Sequence, residues 1–391
     1  MKAGRVDRRE FIKGAAGVAA ISALPHQVFG LSAGGGNSVR SESPERTALP
    51  QSSANKIKFA VIGPNHAHIY SQVEAAIRGG GELVSFFAKE PELAAEFGKR
   101  FPGAKPARGE DEILEDQKIQ LVLSAAIPDE RAPLGIRVMQ HGKDYMSDKP
   151  GITSLEQLAE VRKVQAQTRR IYSIMYSERF ENRATVMAGE LVKAGAIGRV
   201  VQTIGMGPHR MSPKQRPPWF FDRKRYGGIL CDIASHQADQ FLFFTGSTEA
   251  EIVTSQVGNV HNQQYPEFED FGDLVLRGNG GAGYIRVDWF TPDGLSTWGD
   301  GRLTILGTDG FIEVRKNVDI AGRAGGSHLF LVDQKETRYI DSADHALPYG
   351  EQLAADVLNR TETAMAQVHC FLAMELVLKA QKQAQRLSFK S

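Results

Sequence analysis

Two short motifs, far apart in the chain, carry side chains suited to chemistry. Asp148-Lys149-Pro150 closes a strand-like run, and Gly227-Gly228-Ile229-Leu230-Cys231-Asp232-Ile233-Ala234-Ser235-His236-Gln237-Ala238-Asp239 lies well downstream. The second motif spaces Asp232, His236 and Asp239 at i, i+4 and i+7, one face of a helix, which sets a carboxylate and an imidazole one turn apart. A lysine meeting them completes a set that accepts a proton, donates one and orients a hydroxyl. Removal of hydride from a carbinol carbon needs these three functions, so the chemistry indicated is alcohol oxidation.

The elements that must position these groups fall into two textures. Residues 56–62 read as a buried parallel strand ending at Gly63, with a helix over 69–78. A strand over 82–87, a helix over 91–100 and a strand over 120–125 complete a βαβαβ unit. A helix over 131–140, a strand-like 144–146 and a strand over 171–175 extend it, and Thr153-x-x-Glu156 predicts a capping box before a further helix. Beyond about residue 177 the pattern changes to short strands, over 200–206, 251–257, 273–277, 283–290, 302–306, 311–315, 329–332 and 337–340. Turns such as Gly278-Asn279-Gly280-Gly281 separate them, which predicts a large antiparallel sheet. Val368, Phe371, Leu372 and Leu376 at helical spacing predict a C-terminal helix packed back on the first domain.

The 391 residues suffice for two domains, and Lys+Arg 47 against Asp+Glu 46 leaves no basic excess for nucleic acid. Arg8-Arg9-Glu10-Phe11-Ile12-Lys13 precedes a mildly apolar stretch over 14–24 and a Gly/Ser/Pro-rich spacer over 32–53. This resembles a twin-arginine signal, with a plausible cleavage point around Leu31-Ser32-Ala33. After it no run of about 18 apolar residues could span a bilayer. The expected product is a free periplasmic or secreted protein, exported folded by the twin-arginine machinery with its cofactor tightly held. Cys231 and Cys370 are too few for a disulfide framework and read as small buried hydrophobes.

In order and spacing, the strand-turn-helix start, the Asp148-Lys149-Pro150 motif and the Asp-x-x-x-His helix resemble the Gfo/Idh/MocA oxidoreductases, from about Lys56 to the C-terminus. The resemblance implies a Rossmann-type doubly wound parallel sheet over 56–176 and an antiparallel open-sheet domain over 177–350. Residues 351–391 would be a helix returning to the first domain, with 1–33 as signal and 34–55 as linker. It implies a homo-oligomer formed through the open sheet, and NAD or NADP as cofactor. A dinucleotide turn wants three glycines, and the matching positions hold Gly63, Asn65 and His68. The acidic residue that usually ends the second strand is replaced by Ala88, with Lys89 beside it, which removes the usual preference for NAD.

Under the resemblance Lys149 hydrogen-bonds the reacting hydroxyl, His236 shuttles its proton, and Asp232 orients substrate or tunes the base. Asp148 stands where the family has glutamate, and Pro128 falls in a loop near the nicotinamide. Gly63, Asn65, His66, Lys89, Pro128, Asp148 and Lys149 are thus the expected cofactor contacts. Tyr176, Arg179, His209, Arg210, Trp219 and Tyr226, aromatic and basic residues near the domain junction, suit a sugar or cyclitol. Trp298-Gly299-Asp300-Gly301 reads as a turn or an oligomer contact. Asn65-His66-Ala67-His68 also has a metal-binding reading, ranked lower because His66 and His68 would diverge on a helix. No metal is expected. Two further readings stand beside this one: a glycosidase that uses the same lysine and histidine with bound NAD to oxidise, eliminate, hydrate and reduce, and a sugar-binding protein whose cofactor site is degenerate at Asn65, His68 and Ala88.

Overall fold

The structure, a computed structural model, describes residues 56–388. The signal and spacer expected over 1–55 lie outside the described residues. Strands β1 (Ile57–Ile62), β2 (Gly81–Phe87), β3 (Lys105–Pro106), β4 (Leu121–Ser124), β5 (Asp144–Asp148) and β6 (Tyr172–Met175) form a parallel sheet in the order β3-β2-β1-β4-β5-β6. β4, β5 and β6 are buried along their whole length, as a parallel sheet covered on both faces requires. Helices α1 (His68–Arg78), α2 (Pro91–Arg100), α3 (Glu110–Glu115), α4 (Pro128–Gln140) and α5 (Leu155–Thr168) belong to this layer system. Strand order reverses beside β1, so a crevice opens where β1 and β4 end, the usual ligand position of such sheets. The α5 cap falls one residue later than the expected box: Ser154 Oγ accepts from Gln157 N at 3.1 Å, while Gln157 Oε1 accepts from Thr153 N at 2.9 Å.

Helices α6 (Ser177–Phe180) and α7 (Arg183–Lys193) lead into a nine-stranded sheet. Its strands are β7 (Val200–Pro208), β8 (Ala250–Gly258), β9 (Phe271–Gly278), β10 (Ala282–Asp288), β11 (Arg302–Gly307), β12 (Gly310–Arg315), β13 (His328–Asp333), β14 (Thr337–Asp341) and β15 (Gln385–Arg386). They run in the order β14-β13-β12-β11-β7-β10-β9-β8-β15, antiparallel except for β7 with β10 and β8 with β15. The sheet is therefore mixed and mostly antiparallel.

Between β7 and β8 the chain forms α8 (Arg223–Tyr226), α9 (Ile229–Asp232) and α10 (Ala234–Thr245). Helix α10 lies against β7 and β10, and glycine makes the approach close: a Cβ on Gly205 would stand 2.7 Å from Gln237 Cγ. The opposite face of the sheet leaves Ile204, Leu306 and Phe311 exposed, with Leu306 directly opposite Phe311 across β11 and β12. The C-terminal segment is two helices rather than one: α11 (Tyr349–Asn359) packs on α1, and α12 (Gln367–Gln383) packs on both α5 and α10. One apolar cluster runs from β1 through α10 to α12, and a second, smaller one packs α7 against β11, β12 and β13. Among the described residues no helix is long and apolar enough to cross a membrane.

Candidate active site

Asp148 and Lys149 leave the carboxyl end of β5, where a buried arginine fixes them. Arg131, only 1% exposed, comes from the first turn of α4. Its Nη1 donates to the carbonyls of Lys149 (2.5 Å) and Pro150 (3.1 Å), its Nε to Ala126 O (2.6 Å), and its Nη2 pairs with Asp148 Oδ2 at 3.1 Å. One guanidinium thus ties the end of β5 to the loop after β4. No sequence signal distinguished Arg131 from an ordinary helix-surface arginine.

Lys149 then reaches across to the second domain, its Nζ 2.9 Å from Asp232 Oδ1. Asp232 closes the short helix α9, whose entry is made by Gly227 and Gly228 at φ of +89° and +94°. A side chain at Gly228 would collide with Gln381, whose Oε1 accepts from Leu230 N at 3.0 Å, and Glu269 Oε2 accepts from Ile229 N at 3.0 Å. These two bonds satisfy first-turn amides that would otherwise be orphaned.

Helix α9 ends at Asp232 and α10 begins at Ala234, so Asp232, His236 and Asp239 do not share one uninterrupted helix face. Asp232 and His236 both line a cavity of about 560 Å³ with Lys149 and Asp148, whereas Asp239 turns away. Arg179 holds Asp239 bidentately, Nε to Oδ2 at 2.6 Å and Nη2 to Oδ1 at 2.7 Å, and His369 Nε2 lies 2.8 Å from Oδ1. His236 is 2% exposed, and its Nδ1 has no hydrogen-bond partner among the described residues. Burial lowers its pKa to about 4; the Glu178 carboxylate opposes the shift, and the charge of Lys149 adds to it. Glu178 is itself kept ionised, at about 2: burial would raise it, but the adjoining Lys316 ammonium prevails.

His66 and His68 do not diverge. His66 lies in the turn before α1 rather than on the helix, and the two rings stand 4.1 Å apart, edge to face. Both turn Nδ1 to Asp148, at 3.6 Å from Oδ2 for His66 and 3.0 Å from Oδ1 for His68. The three residues could hold a metal ion, yet Asp148 is already neutralised by Arg131. Burial would raise the Asp148 carboxyl, but the charges of His68 and Arg131 hold it far below the usual range. Burial and His68 lower the His66 imidazole.

A second cavity, of about 300 Å³, opens at the β1–β4 crevice and is lined by Gly63, Asn65, Lys89, Glu90, Ala126 and Arg137 among others. Its residues fit the adenosine half of a dinucleotide. Gly63 has φ +70°, and a Cβ there would lie 2.7 Å from Ala126 Cβ. Ala88 does not line it. An acid does line it two residues further on, Glu90, whose Oε1 accepts from Asn65 Nδ2 at 3.1 Å and whose buried Oε2 has no partner among the described residues. The strand ends at Phe87, and the chain swings Glu90 back as it enters α2.

Pro128, His209, Arg210, Trp219 and Tyr226 line the larger cavity, as does Trp298, whose ring centroid is 4.6 Å from that of His209. His209 is lowered to about 3 by burial and by Lys149. Tyr176 and Arg179 are not among the lining residues. Tyr176 is buried beside His236, its hydroxyl without a partner among the described residues, and Arg179 is committed to Asp239 and to the faces of Phe180 and Phe243. Both cysteines are free and buried, and burial pushes their thiols up, away from nucleophilic reactivity.

A Rossmann domain joined to an open-sheet domain, with lysine, aspartate and histidine at the junction, defines a two-domain dehydrogenase. Residues 57–176 match the oxidoreductase family with NAD-binding Rossmann fold, and residues 185–313 match the GFO/IDH/MocA C-terminal domain. The chain belongs to the Gfo/Idh/MocA family of oxidoreductases. It is 26% identical over 295 residues to scyllo-inositol 2-dehydrogenase (NAD(+)) of Bacillus subtilis (strain 168), covering 68% of this chain and 82% of that one. A crystal structure from Erwinia carotovora atroseptica SCRI1043, of a protein provisionally classed as an oxidoreductase, is 45% identical. It covers 85% of this chain and all of its own, with a TM-score of 0.82. Levoglucosan dehydrogenase in complex with NADH and L-sorbose shares the fold, at TM-score 0.68 and 18% identity over 84% of this chain and 98% of that one.

An unfolded chain protonates a histidine near pH 6.5 and the folded protein protonates His236 near 4. Between those values the unfolded state binds more protons, so the contribution of this residue to stability falls as pH drops across the window. NMR titration of the imidazole should show a neutral ring throughout pH 5–8. A midpoint near 6.5 would contradict the described environment.

Proposed function

We propose that the protein is an exported NAD-dependent dehydrogenase that oxidises a hydroxyl of a sugar, cyclitol or derivative. The observation that carries this reading is the 2.9 Å Lys149–Asp232 pair facing one cavity with a buried, neutral and unpartnered His236. Lys149, held by Asp232, donates a hydrogen bond to the reacting hydroxyl oxygen and steadies negative charge as the oxygen loses its proton. His236 accepts that proton on its imidazole and returns it in the reverse direction. Aromatic rings at Trp219, Trp298 and His209 supply a surface for the apolar face of a sugar ring.

A nicotinamide dinucleotide supplies hydride acceptance when bound. Gly63, Asn65, Glu90 and Lys89 would hold its adenosine half, and Pro128, His66, Asp148 and Lys149 line the cavity next to it. The free oxygen of Glu90 suits a ribose hydroxyl and repels a 2′-phosphate, which favours NAD over NADP. Tight retention of the cofactor accords with export by the twin-arginine route, for which Arg8-Arg9 before Phe11 is the signal. The exposed Ile204, Leu306 and Phe311 support assembly of two copies through the outer face of the large sheet.

Lys149→Ala and His236→Ala should each lower turnover by roughly 10²–10⁴-fold while the protein stays folded. Near-normal kcat in either purified variant would remove the assigned role. For the cofactor, Glu90→Gln should narrow the affinity gap between NAD and NADP in calorimetric titration, and unchanged relative affinities would show that Glu90 does not meet the ribose. Replacing Arg8 and Arg9 by lysine should trap precursor in the cytoplasm. Normal appearance of mature protein in the periplasmic fraction would show that another route is used.

A further inference from the structure

The larger cavity holds more positive than negative charge, and the surplus sits on one side chain. Four carboxylates line it, each already matched by a cation. Asp232 pairs with Lys149 at 2.9 Å, Asp148 with Arg131 at 3.1 Å, Glu181 with Arg78 at 2.6 Å, and Glu178 with Lys316. Arg210 turns to the carbonyls of Pro292 and Leu295 and to Asp293. Arg216 forms no ion pair among the described residues, and the carboxylate whose charge reaches it, Asp232, is already paired with Lys149.

Arg216 is nonetheless held in place. It follows the short 3-10 turn Pro213–Gln215 in the loop after β7, and its Nε donates to Met211 O at 2.9 Å and its Nη2 to Arg210 O at 3.2 Å. The guanidinium lies over two rings, 4.5 Å from the centroid of Phe220 and 5.1 Å from that of Trp289. These contacts fix the plane of the group and leave Nη1 without an acceptor among the described residues. A half-buried guanidinium on an aromatic shelf, stripped of part of its water, costs free energy unless an anion completes it. Its planar donors match a carboxylate.

We propose that the substrate is a sugar acid, whose carboxylate is bound by Arg216 while one of its hydroxyls meets Lys149 and His236. The inference rests on the dehydrogenase reading above and specifies the substrate class of the same site. A single unmatched cation fits a monoanionic carboxylate better than a phosphate dianion. The neutral His209 beside Trp298 adds aromatic surface without adding charge.

The test uses the NAD-loaded protein and stereochemically matched probes: glucose, galactose and mannose, their uronates and aldonates, and glucose 6-phosphate. Calorimetry should show at least one acid bound about 10–100-fold more tightly than its neutral counterpart, the range expected for a hydrogen-bonded charged contact. Arg216→Gln should bring that ratio to within about twofold of unity while leaving neutral-sugar affinity and the melting profile unchanged. Arg216→Lys should keep a reduced preference, which holds the test open if the glutamine variant is unstable. Equal affinity for acids and neutral sugars, no binding of any acid, tighter binding of the phosphate, or an undiminished preference in Arg216→Gln would each overturn the inference. Reduction of NAD by neutral sugars alone would overturn it and leave the dehydrogenase reading standing. Acid binding with no NAD reduction by any probe would instead count against that reading.

Discussion

The contact between Lys149 and Asp232 is the one on which the site depends. It joins the end of a Rossmann strand to a helix of the open-sheet domain across 83 residues of sequence, and it forms where little water remains to compensate either charge. Such a pair is useful only if both partners arrive oriented, because desolvation cancels much of the Coulombic gain when geometry is poor. Each side is therefore built separately. Arg131 binds the Lys149 and Pro150 carbonyls on one flank, and on the other Gln381 and Glu269 take the amides that follow the Gly227-Gly228 turn. The C-terminal helix α12, which supplies Gln381, is thus part of what positions a residue far from it in sequence.

Around that contact the cavity alternates ion pairs with neutral imidazoles. Asp148 is compensated by Arg131 and Glu178 by Lys316, while His209 and His236 are kept uncharged by burial and by the Lys149 ammonium. A histidine that is neutral well below its ordinary range can take a proton from a hydroxyl without first losing one. The low basicity that comes with this is offset if Lys149 acidifies the hydroxyl by hydrogen bonding to its oxygen. On the proposed reading, proton acceptance and charge stabilisation are divided between two side chains from different domains.

Much of this was legible in the sequence, and the omissions have physical causes. The β1 run over 57–62, the turn at Gly63 and the Lys149-Pro150 and Asp232/His236 motifs follow from period, glycine placement and spacing, which are local properties. Arg131 was missed because a buried arginine looks like an exposed one until its acceptors, carbonyls from other segments, are assembled. Glu90 is not legible as a residue of the crevice because it stands beyond the strand end, at the entry to α2, and only the fold brings it there. Spacing draws Asp239 toward the site, and proximity to the domain junction draws Arg179, but in the fold each satisfies the other. His66 and His68 were expected to point apart because helical spacing was applied to a residue that precedes the helix.

Hydride transfer itself is the central claim, and isotopic labelling tests it most directly. The protein loaded with NAD would be presented with neutral and acidic sugars carrying deuterium on carbon, and the recovered dinucleotide weighed by mass spectrometry. The expected result is reduced cofactor one mass unit heavier in the wild type, with label appearing roughly 10²–10⁴-fold more slowly in Lys149→Ala and in His236→Ala. Absence of deuterium from the cofactor with every sugar, or label transferred at the wild-type rate in either variant, would contradict it.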